Sequence, residues 1–153
     1  MKKSIAKMLS LLLMSTTLFS FSGKPGGKGF EVYLNNKLIV QRFGNQMYTA
    51  QTIQLNQGCP NDELTIKYYH CGTIGKNRVL TIKDAQGKTL KEFRFADASS
   101  NAAAMKCSAK DIFSLKKGNN SILKPYYSSS EFTAGRMLAS IVSRYSSTSE
   151  LVP

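Results

Sequence analysis

The chain has 153 residues, 42% of them hydrophobic and 20% charged, with 21 Lys and Arg against 9 Asp and Glu for a net charge of +12. That length is one domain's worth, and the excess of positive charge favours anionic partners. One histidine, three cysteines and no tryptophan exclude a two-histidine blue-copper centre and the buried core tryptophan of antibody domains.

The chain opens MKKSIAKMLSLLLMSTTLFSFSGKPGGKG. Lys2, Lys3 and Lys7 form a positive start, and residues 8–21 are apolar but softened by Ser and Thr. Ser20 and Ser22 supply small residues at the spacing of a signal-peptidase site, so residues 1–22 read as a secretory signal peptide. The apolar run is too short and too polar for a membrane anchor, which needs about 20 apolar residues. No cysteine lies near the cleavage region to accept a lipid, and no second spanning run follows. The expectation is an exported protein, periplasmic or extracellular, without membrane span or lipid anchor. Three lysines leave with the signal, so 18 of the 21 basic residues remain against 9 acids, a net +9.

Residues 23–28 form a glycine-rich lead-in. From residue 29 short stretches of alternating, β-branched and aromatic character follow one another between turns. Phe30, Val32 and Leu34 alternate with polar neighbours, Asn35–Asn36 tolerate left-handed backbone, and KLIVQRF follows, so 30–43 predicts a β-hairpin. Residues 49–55 predict a third strand and 56–62 a dense turn. Residues 63–70 predict a strand with Leu64, Ile66 and Tyr68 on one face and Thr65, Lys67 and Tyr69 on the other. Residues 78–83 and 89–95 flank DAQGK, with Gly87 free to take positive φ, and predict another hairpin. MKCSAKDIF follows a soft stretch, KKGNN is a turn, and SILKPYY is a strand that Pro125 should confine to an edge or a bulge.

Residues 131–145 carry two patterns. As a helix, Ala134, Leu138, Ile141 and Tyr145 make a stripe, and Ser128 with Glu131 fits a capping box. As a strand, Met137, Ala139 and Ile141 alternate with Leu138, Ser140 and Val142. Gly135 and the all-β surroundings favour the strand. Residues 146–153 read as a disordered tail. About eight strands with no βαβ alternation predict a single antiparallel β-sandwich over 29–145, with an immunoglobulin-like arrangement compatible.

The stretch IKYYHCGTIGK holds the only histidine, His70, beside Cys71. Successive strand side chains point to opposite faces, so the two diverge and cannot act as a catalytic dyad. His70 reads as a strand-end residue at the margin of the core. GTIGKN lacks the spacing of a phosphate-binding loop. A zinc site would need all three cysteines and His70, without any short cysteine pair. No catalytic, cofactor or metal site is therefore assigned.

Export makes a disulfide the default. Cys59 with Cys71 is unfavourable. The intervening strand spans about 26 Å, the turn folds back only about 13 Å, and a bridge needs Cα atoms within about 7 Å. Cys71 with Cys107 is the preferred pair, Cys59 with Cys107 the next, and no bridge the remaining option. Lys67, Tyr69, Lys76, Arg78, Lys116 and Lys117 are the candidates for an anionic ligand, because they sit on a tyrosine-bearing strand face or in and beside turns.

The functional expectation is a non-enzymatic binding or scaffolding role at the cell envelope, toward an anionic glycan, lipopolysaccharide or an acidic protein rather than nucleic acid. The alternative is a small exported hydrolase whose acids converge only on folding.

Overall fold

A computed structural model describes residues 27–56, 61–116, 118 and 121–144. In chain order the elements are β1 (Gly29–Leu34), β2 (Lys37–Phe43), a 3₁₀ helix η1 (Gly44–Tyr48), β3 (Thr52–Asn56), β4 (Glu63–Tyr69), β5 (Arg78–Lys83) and β6 (Thr89–Phe95). β7 (Met105–Ser108), a short helix α1 (Ala109–Phe113), β8 (Lys124–Ser129), β9 (Phe132–Met137) and β10 (Ser140–Arg144) complete them. The fold is all-β. Two four-stranded sheets, ordered β2-β1-β4-β7 and β6-β5-β8-β9, are antiparallel throughout.

Period-two alternation decides which side chains meet. Phe30 and Val32 of β1, Leu64, Ile66 and Tyr68 of β4, and Met105 and Cys107 of β7 line the inner face of the first sheet. Leu80 and Ile82 of β5 and Tyr127 of β8 line that of the second. All belong to one core, and the Tyr68 and Tyr127 rings stack across it with centroids 4.2 Å apart. Burying an aliphatic or aromatic side chain of this kind contributes about 1.5–3 kcal/mol, so the alternation is enough to hold the sheets in register.

The turns obey their residues. Asn35 and Asn36 both take positive φ, 50° and 64°, which matches the tight turn a two-residue hairpin requires. The Asn35 side chain also ties the hairpin to the start of β4, donating to Asp62 Oδ1 at 2.7 Å and accepting from the Glu63 amide at 2.9 Å.

Three features depart from the sequence reading. Among the described residues ten strands form rather than about eight. Residues 105–113, given no element in the sequence reading, divide into β7 and α1. The 131–145 stretch forms strands but breaks at Leu138–Ala139, both buried, and β10 pairs in parallel with β3, Ile141 opposite Ile53. A parallel pair needs a long connection, which local alternation does not record. Pro125 lies in β8, an interior strand between β5 and β9 rather than an edge, and the β8–β9 pairing carries a register shift between Tyr127 and Ser129, in line with the bulge read as the other option. It is tolerated because pairing with β9 starts only at Tyr126, and Pro125 contributes its carbonyl to the Leu138 amide instead. The expected signal peptide, residues 1–22, and tail, 146–153, lie outside the described residues, as does Cys59.

Candidate functional site

The outer face of the first sheet is built from the other parity of β1, β2 and β4. Glu31 stands between Gln41 and Lys67 in the pairing register, and Gly29 between Phe43 and Tyr69. Gly29 is required. A Cβ there would lie 2.0 Å from Phe43 Cδ1, because the Phe43 ring leans over β1 and meets Tyr69 at 5.3 Å. Freed by the missing side chain, Tyr69 reaches diagonally to Glu31, its hydroxyl donating to Oε2 at 2.8 Å. Tyr33, two residues along the same face, donates to the same oxygen at 2.7 Å. Gln41 donates to Oε1 at 3.0 Å, and the Lys67 ammonium lies 4.9 Å from the Tyr33 ring centroid.

Glu31 is only 4% exposed. Burial acts to raise its pKa, but the bonds from Tyr33, Tyr69 and Gln41 and the charge of Lys67 outweigh it. The net result lies below the ordinary carboxylate value. The same hydrogen bond, with burial, pushes Tyr33 up to about 12. At neutral pH the arrangement is one carboxylate and two neutral phenols. Such a carboxylate is saturated and fixed as an acceptor, unsuited to general acid work. The rings that cover it are pinned and half-buried, with Lys67 over Tyr33 and Phe43 tilted against Tyr69.

A second cluster lies in the core. His70, 5% exposed, stands 2.7 Å from the Tyr127 hydroxyl through Nε2, a hydrogen bond whose donor is set by the imidazole tautomer. Its ring tilts against Tyr68 at 4.9 Å. Gly75 backs the pair so closely that a Cβ would sit 2.9 Å from both His70 Nε2 and the Tyr127 oxygen. Burial lowers the His70 pKa; Glu131 opposes this, and Lys28 and Arg78 reinforce it. The neutral ring is a packed structural group, deeper in the core than its strand-end position implies. Cys71 follows at an exposed turn with φ 37°, outside the strand and its alternation.

The candidates for anion binding do not form one patch. Lys67 and Tyr69 belong to the outer face just described. Lys76 is exposed, while its amide donates to Glu131 at 2.9 Å. Arg78 is 7% exposed and is a strap, donating to the carbonyls of Ala96 and Ala103 at 2.8 Å each. Its parity on β5 matches Leu80 and Ile82, so it faces inward and is not available to a ligand. The Lys116 ammonium is buried without a hydrogen-bond partner, 5.7 Å from the Phe113 ring centroid, and burial lowers its pKa. Lys117 lies outside the described residues.

The preferred disulfide is corrected. Cys107 is a free thiol in the core, directly opposite Leu64 on β4, whereas Cys71 lies beyond the far end of that strand. Roughly 20 Å of strand separates the two places, well outside bridging range. Burial and Asp111 push the Cys107 thiol up to about 12, against Lys91, which makes it unreactive at neutral pH.

Two residues escaped the sequence reading. Glu31 carried a usable signal, an acid and a tyrosine two apart on one strand face. Arg136 carried none. Its guanidinium lies 4.7 Å from the Tyr48 ring centroid, a contact that depends on η1, and 5.6 Å from that of Phe132 on its own strand. Among the described residues no group of three or more His, Cys, Asp and Glu could hold a metal ion, and no helix is long and apolar enough to cross a membrane. Neither a protein-family model nor a curated protein matches the chain.

Proposed function

We propose that the protein is an exported β-sandwich that binds an anionic glycan of the cell envelope, lipopolysaccharide included, through the outer face of its first sheet and without catalysis. The observation that carries this reading is the convergence of two tyrosine hydroxyls on one oxygen of Glu31, with the Lys67 ammonium 4.9 Å over the Tyr33 ring. Rings fixed in this way stack on a sugar at little conformational cost. The adjacent cation supplies attraction for an acid group, and the surplus of basic residues steers anionic chains to the surface. A hydrolase would need a second carboxylate facing Glu31; the charged group acting on it is Lys67.

The test is retention of the purified protein on an acidic polysaccharide resin across a salt series, beside Tyr33→Ala and Lys67→Gln. Retention should weaken steeply with salt, and both variants should elute earlier than the parent. Equal elution of all three rejects the face and leaves only net-charge attraction. For export, the envelope protein should begin at Gly23 or a near neighbour, and an intact Met1 would reject it.

A further inference from the structure

We propose a second binding site, for a sugar ring that carries an oxyanion, in the groove between η1 and β9: the Arg136 guanidinium takes the carboxylate or phosphate, and the Tyr48 ring stacks on the sugar. The groove is lined by residues 47–50 and 135–138 and has a volume of about 330 Å³, enough for one ring. It lies at the opposite end of η1 from Phe43 and Tyr69, and goes beyond the face described above.

Arg136 is a cation without an acid. The two ion pairs among the described residues are Arg94–Glu92 and Lys106–Glu63, and neither involves it. Its Nε is buried with no hydrogen-bond partner. Its Nη1 reaches the Met47 carbonyl only at 3.4 Å, and a further bond goes to the Tyr68 hydroxyl. A guanidinium has five donors in a planar fork. Half-buried against the Tyr48 and Phe132 rings, it gains more from an anion than a fully exposed arginine does. Lys28, 5.7 Å from the Phe132 ring that Arg136 also touches, adds a second positive charge nearby.

Tyr48 supplies the other half. It is 79% exposed, and it is the one exposed aromatic among the large hydrophobic side chains of the described residues. Arg136 lies against its ring and fixes it. An exposed ring held by a cation beside a groove suits a sugar face, and the cation itself suits an oxyanion on that sugar.

Titration calorimetry on the purified protein, with digalacturonic acid, glucose 1-phosphate and glucose, tests the site. One or both of the acidic sugars should bind and glucose should not; which acid binds tells carboxylate from phosphate. Tyr48→Ala, a change at an exposed side chain, should weaken binding about tenfold with the melting temperature unchanged. Arg136→Lys keeps the charge but loses the fork, and should weaken it by about the same factor. Lys67→Gln should leave it unaltered, which separates this site from the first-sheet face. Failure of both acidic sugars to bind, glucose binding as well as they do, or unchanged affinity in Tyr48→Ala overturns the proposal.

Discussion

Glu31 shows how one side chain organises a surface. Its folded pKa lies below the ordinary value of 4.5, so the unfolded chain binds this proton more readily. The stability it confers is complete above the unfolded pKa and disappears as pH falls through the folded one. Glu31→Gln keeps the shape and removes the charge. The variant should lose about 1–3 kcal/mol at pH 7 and show a flatter acid limb in urea melts collected from pH 7 to pH 3; an unchanged limb would mean that Glu31 does not set it. His70 works on the same side for a different reason. Its pKa is lowered by burial, so stability is full above about 6.5 and falls as pH drops toward the folded value. His70→Phe should cost about 1–3 kcal/mol by orphaning the Tyr127 hydroxyl and abolish that slope, while polysaccharide retention stays as in the parent. Loss of retention with the fold intact would contradict the structural role.

At the scale of elements, the row Phe43–Gly29–Tyr69 couples three strands through a missing side chain. Gly29→Ala should cost about 1–3 kcal/mol through forced displacement of Phe43, and adding Phe43→Ala should restore part of the loss by vacating the space. A simple sum of the two single effects would show that the rings do not share that space. This is also the scale at which the sequence is most informative. Strands β1, β2, β4, β5 and β6 are legible from their β-branched and aromatic residues between turn signals, most plainly β5, where Arg78, Leu80 and Ile82 are buried between half-buried neighbours. The segment after Ala103 is not, because Met105 and Cys107 alternate for only four residues before α1 begins. The tyrosine face was half legible: Lys67 and Tyr69 share a parity that can be counted, but their tether to Glu31 is a cross-strand register. Arg78 was misread for the complementary reason. Its charge suggested the surface, while its parity placed it with Leu80 and Ile82.

For the whole molecule, charge is the dominant fact. With 21 basic residues against 9 acidic ones, like charges repel across the surface, and Lys83 even faces Lys124 across β5 and β8. Repulsion of this kind weakens the compact state, and salt screens it over a Debye length of about 10 Å at 0.1 M. Raising sodium chloride from low to moderate concentration should therefore raise the melting temperature, while it weakens retention on the acidic resin. A melting temperature that falls with salt would mean that attractive pairs prevail.

The pairing of β3 with β10 has a consequence in time. Thr52 meets Ser140 across more than half of the chain, and Ile53 and Leu55, both buried, lie in the strand that awaits this late partner. A polypeptide emerging from a ribosome cannot complete its core until β10 exists. Closure over such a span is also slow. A chain ending before Ser140 should stay incompletely folded and protease-sensitive however long it is incubated. The full chain has a built-in delay: its core stays open until the residues of β10 have been made.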